Sequence, residues 1–81
     1  MSDFKNDLTV DGSRQAEKIM AEIKKAGSMI MAVKAGARAN GFVLGLLCSG
    51  TITEDVAQQL QSHFDVATER QLRQLTLGAT S

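Results

Sequence analysis

One histidine, His63, and one cysteine, Cys48, are the side chains here best suited to acid–base or nucleophilic work, beside nine scattered Asp and Glu. Catalysis needs such a group held against a partner that activates it. His63 stands between Ser62 and Phe64 in a helical pattern and reads as a partly exposed helical histidine. Cys48 closes an apolar stretch and reads as a small buried hydrophobe. A single cysteine forms no internal disulfide, and no Cys/His cluster has metal-ligand spacing. A glycine-rich phosphate loop requires a strand before it, and no strand pattern is present. The expectation is a non-enzyme with no catalytic residue, no metal and no cofactor.

Composition narrows the fold. The 81 residues make one domain at most, and a core of that size commonly needs staples or self-association. Pro, Trp and Tyr are absent and Phe occurs three times. A chain with no proline and few aromatic or β-branched runs favours long helices over sheet. Nine basic residues balance nine acidic ones, and such neutrality is not the footprint of a nucleic-acid binder. The start, MSDFKNDLTVDG, is too polar for a signal peptide. The longest uncharged stretch, Ala39 to Thr53, falls short of the roughly 20 apolar residues of a membrane span. A cytoplasmic protein without membrane contact is expected.

The elements follow from periodicity. Residues 1–12 lack a sustained period and read as a flexible arm with Phe4, Leu8 and Val10 as apolar handles. A first helix is expected over 13–48, capped by Ser13 or Asp11. Along it Ile19, Ile23, Ala26, Ile30, Val33, Ala37, Asn40, Leu44 and Leu47 recur in alternating steps of four and three. This is a heptad seam of period 3.5. Unbroken, the helix would span roughly 50 Å, more than the rest of the chain can cover. Gly27-Ser28 is the natural place for a kink, and Gly36, Gly41 and Gly45 also weaken the helix. Asn40, the one polar seam position, is either a register device or the start of a break before Gly41.

A turn is expected at 49–53, with Gly50 as the left-handed residue after the helix. Thr51–Glu54 has a capping pattern opening a second helix over 54–76. Val56, Leu60, Phe64, Ala67, Leu72 (or Gln71) and Leu75 form its packing face against the first helix. Ser62–Asp65 is a weak spot, and 78–81 reads as a frayed tail. The fold expected is all-α: a long helical hairpin, assembling through the seam into a four-helix bundle or a coiled-coil-like homodimer or homotetramer. Met20, Met29 and Met31 are expected in the core or, alternatively, as an adaptable contact surface. Phe4, Met31 and Phe42 are the candidate contacts to another protein.

In size, lack of catalytic groups and coiled-helix character, residues 13–77 resemble the short antirepressors among the accessory proteins of temperate bacteriophages. The resemblance implies an oligomeric helical bundle in the cytoplasm of a bacterial host and a transcriptional repressor as partner, whose DNA binding it would inhibit. It transfers no site residue. Two other classes stand beside it. Residues 53–77 divide into a helix-turn-helix-like pattern with Arg70 and Arg73 on the reading helix, giving a small DNA-binding regulator. A structural scaffold or adaptor would self-associate without capturing a regulator.

Overall fold

Thr9 and Ser28 each have an extended backbone and cap the helix that follows, and this local chemistry divides the chain. The computed structural model describes residues 8–80, without the side chains of 79 and 80. It holds three helices, α1 (Val10–Lys25), α2 (Met29–Cys48) and α3 (Glu54–Thr80), and no strand among the described residues. The chain is all-helical, as expected. Phe4 lies outside the described residues.

The single helix expected over 13–48 is instead two helices. The Thr9 hydroxyl accepts from the Gly12 amide at 2.9 Å, so α1 begins at Val10, within the expected arm, rather than at Ser13. Lys24 and Lys25 occupy its last turn, where cations suit the negative helix end. The helix stops at Ala26, whose backbone turns extended. Ser28 then caps α2, its hydroxyl accepting from the Met31 amide at 3.2 Å. A Cβ on Gly27 would meet nothing within 4 Å. The break therefore comes from the new cap and from glycine's low helix propensity, not from crowding. Gln71 of α3 donates to the Ala26 carbonyl at 2.7 Å and satisfies an orphan acceptor of the broken helix end.

The α2–α3 connection is a Schellman turn. Thr51 donates to the Leu46 carbonyl at 3.0 Å and Gly50 to the Leu47 carbonyl at 3.1 Å. Gly50 takes the left-handed conformation at φ 76°. Ile52 is buried just beyond, and the Thr53 hydroxyl accepts from the Val56 amide at 3.3 Å to cap α3. No turn interrupts 62–65. The helix runs past the expected end at 76 as far as Thr80, into the segment expected to fray.

Ile19 and Ile23 of α1, Ala35, Ala39 and Val43 of α2, and Leu60, Phe64 and Ala67 of α3 make the core. Phe42 meets Phe64 edge-on, ring centres 6.4 Å apart and planes at 75°. The contribution of α2 is mostly alanine, which lets α3 come close. At Gly36 the approach is close: a Cβ there would stand 3.1 Å from both Cγ2 and Oγ1 of Thr68. Thr68 is held by donating to its own helix, to the Phe64 carbonyl at 2.9 Å. On the other side Arg38 of α2 pairs with Glu22 of α1 at 3.1 Å.

Candidate protein-interaction surface

Helix α2 is apolar almost all round, and such a helix ordinarily belongs in an interior. Here only one face is covered. The inward face is Ala32, Ala35, Ala39 and Val43. The outward face carries Ile30, Val33, Ala37, Asn40, Gly41, Leu44 and Cys48, all exposed. Ile30 keeps 70%, Val33 56% and Leu44 50% of its surface in water. Met29 beside them is also exposed. Ile30, Val33 and Leu44 of α2 therefore face out, while three of its alanines and Val43 face in, with Phe42, Leu46 and Leu47 half-buried against the core.

The seam of the sequence is thus cut in two by the break at 26–28. Its first part, Ile19, Ile23 and Ala26, is buried within the protomer. Its second part, Ile30, Val33, Ala37, Asn40 and Leu44, points into solvent, and Leu47 is half-buried at the α3 edge. Leu60, Phe64 and Ala67 are buried, while Val56, Leu72 and Leu75 are half-buried. Of the contacts expected to another protein, Met31 is exposed, but Phe42 is tied into the core through Phe64. Met20 is half-buried, and Met29 and Met31 are exposed rather than core, because the break turns the α2 N-terminus outward.

Charges line the stripe unequally. On the α1 side, Lys18, Lys25, Lys34 and Arg38 gather around Ala21, Met31 and Ala35, with Glu22 engaged by Arg38. On the α3 side, Asn40, Leu44 and Leu47 share a groove with Glu54, Gln58 and Gln61. That α3 edge continues in steps of three and four through Asp65, which accepts from Gln61 at 2.9 Å, to Glu69. Net neutrality therefore conceals a basic edge and an acidic edge on either side of an apolar strip. The period of Glu54, Gln58, Gln61, Asp65 and Glu69 was a signal in the sequence that the charge count hid.

The residues suited to chemistry lie apart from one another in the fold. Cys48 is exposed at the end of α2 rather than buried, because it falls on the outward face of the helix while Leu46 and Leu47 of the same turn pack against the core. His63 is exposed mid-way along α3, its ring 6.5 Å from Phe64, in a groove shared with Leu8 and Met20 of the α1 side. No group of three His, Cys, Asp or Glu among the described residues is placed to hold a metal. The helix-turn-helix division of 53–77 does not exist in the fold, because α3 is continuous through it.

By length and composition alone, Met29–Cys48 is also apolar enough to cross a membrane, and 22% of its most apolar window is buried. The uncharged stretch counted in the sequence missed it because Lys34 and Arg38 interrupt the apolar run. Comparison with known proteins gives no matching family, no matching curated protein and no matching solved structure.

Proposed function

We propose that this chain is a non-enzymatic protein-binding regulator that acts as a homo-oligomer, two copies covering each other's α2 stripe. The observation that carries the reading is that stripe: a 20-residue helix whose Met29, Ile30, Val33 and Leu44 stand in water. Monomeric soluble proteins rarely leave contiguous apolar patches above a few hundred Å² uncovered. The assembly replaces the four-helix bundle of two hairpins by a dimer of three-helix protomers with paired α2 helices at its centre. A homotetramer is a dimer of such dimers.

Antirepression is the activity best suited to such a dimer. Balanced charge and an uninterrupted α3 favour a protein surface over DNA as the target. The assembled dimer would engage a transcriptional repressor in fixed ratio and inhibit its operator binding, in the bacterial cytoplasm. Contacts would come from side chains outside the stripe, Met31 at its edge and Phe4 among them. A bilayer is the other cover suited to an apolar helix. Against it, the inner face of α2 is already packed on two helices whose outer faces are charged.

The test is purification of the tagged full chain from its native host, with identification of what accompanies it and absolute mass of the complex. A repressor-type protein in fixed ratio, whose operator binding the purified chain abolishes, supports the reading. Recovery with DNA, with membranes, or as a homo-oligomer that captures nothing overturns antirepression and favours a DNA-binding regulator, a membrane protein or a scaffold respectively.

A further inference from the structure

The two flanks of the α2 stripe carry opposite charge, and this constrains how a second copy can sit on it. Seen from outside along α2, Glu54 of α3 lies on one side, with Asp65 and Glu69 further along the same helix by its spacing, and Lys18, Lys25, Lys34 and Arg38 of α1 and α2 lie on the other, beside Glu22. Consider a copy brought face to face by a two-fold axis. If the axis lies along α2, the two α2 helices run parallel and each acidic edge meets the partner's basic edge. If the axis lies across α2, the helices run antiparallel and each edge stays on its own side. Acid then faces acid.

The heights agree with the first arrangement. Thr68 packs against Gly36, which places Asp65 and Glu69 level with the α2 segment from Lys34 to Arg38. A rotation about an axis along α2 keeps every residue at its height. It therefore sets Asp65 and Glu69 of one copy beside Lys34 and Arg38 of the other. Charges flanking an apolar seam fix partner orientation in this way in paired helices.

We infer that the chain forms a parallel two-fold dimer through α2, in register, with the acidic α3 edge of each copy against the basic edge of the other. This rests on the self-association proposed above and adds its direction and register. Three consequences follow from the symmetry. Asn40 meets Asn40 at the centre of an otherwise apolar strip, where a paired amide penalises shifted registers. Ala37 and Gly41 lie beside it and let the two backbones approach. Cys48 meets Cys48 at one end, whereas an antiparallel pair centred on Asn40 would hold them on the order of 24 Å apart. The face is large enough. α2 is about 30 Å long and the molecule measures 24 and 19 Å in its two shorter extents, so each copy offers on the order of 600–700 Å², against the roughly 800 Å² per partner of specific interfaces.

The experiment combines absolute mass with a short bis-maleimide cross-linker on the purified full chain, with Cys48→Ser as the control. The parallel dimer gives twice the monomer mass and a covalent dimer lost in Cys48→Ser. Lys34→Glu and Glu69→Lys, both exposed positions, should each weaken dimerisation by about tenfold, since two symmetric contacts change sign. The variant carrying both should return to near the wild-type affinity, which a merely structural role of either side chain would not produce. A dimer by mass that does not cross-link, or whose charge reversals are not mutually rescued, overturns the parallel arrangement and leaves self-association standing. A monomer at every concentration overturns both.

Discussion

Replacing Ile30 by Asp separates assembly from folding. Ile30 keeps 70% of its surface in the protomer and lies in the first turn of α2, a turn with no acidic residue. Burying an isoleucine fully is worth about 2.5 kcal/mol. The exposed share is then about 1.7 kcal/mol per copy, and about 3.5 kcal/mol for the two copies of a symmetric pair. At 1.4 kcal/mol per decade, losing it raises Kd by about 300-fold, before any penalty for bringing two carboxylates into the interface. Folding responds in the other direction. An acid in the first turn of a helix is favourable by about 0.3–1 kcal/mol. The variant should therefore be monomeric in sedimentation velocity over a concentration range where the wild type is paired. As a monomer it should unfold in denaturant no earlier than dilute wild type. An unchanged Kd, or a monomer destabilised by more than about 1 kcal/mol, would refute the assignment of Ile30 to the solvent side of the stripe.

Other positions test the protomer itself. Phe64→Ala removes the buried ring that Phe42 meets edge-on and should cost about 3–5 kcal/mol in urea unfolding, much of the stability of so small a domain. Gly36→Val drives side-chain carbon into Thr68, and should lower stability, whereas Gly45→Ala, with nothing within 4 Å of the new Cβ, should raise it by about 0.5–1 kcal/mol. Thermal melts of the two variants side by side decide that contrast. Gln71→Leu takes away the donor to the Ala26 carbonyl and should cost about 1 kcal/mol. Amide exchange should quicken in the last turn of α1 while α3 keeps its protection.

Much of the local structure was legible because single residues determine it. Gly50 and Thr53 specify the α2–α3 turn, the lack of proline permits the long α3, and Gly27-Ser28 marks the place where the first helix divides. What the sequence concealed was the consequence of that division. The period-3.5 series continues unbroken in the text from Ala26 to Ile30, yet a non-helical link between them rotates the second half outward. Hydrophobicity also misled. It singles out Ile30, Val33 and Leu44 as the packing side of α2, whereas close helix approach selects Ala32, Ala35 and Ala39, with Gly36 against Thr68. The Gln71 bond to Ala26 spans 45 residues, and no local pattern announces it. The two charged edges needed both the periodicity of α3 and knowledge of which helix lies on each side of α2.

The central claim is that a second copy covers the α2 stripe, and the most direct measurement of it is the absolute mass of the full-length wild-type chain by light scattering across a dilution series. The account predicts twice the 8.7 kDa of one chain at micromolar concentration, or four times it if dimers pair, falling toward one chain on dilution. A mass of a single chain at every concentration, with the stripe still open to solvent, would contradict it.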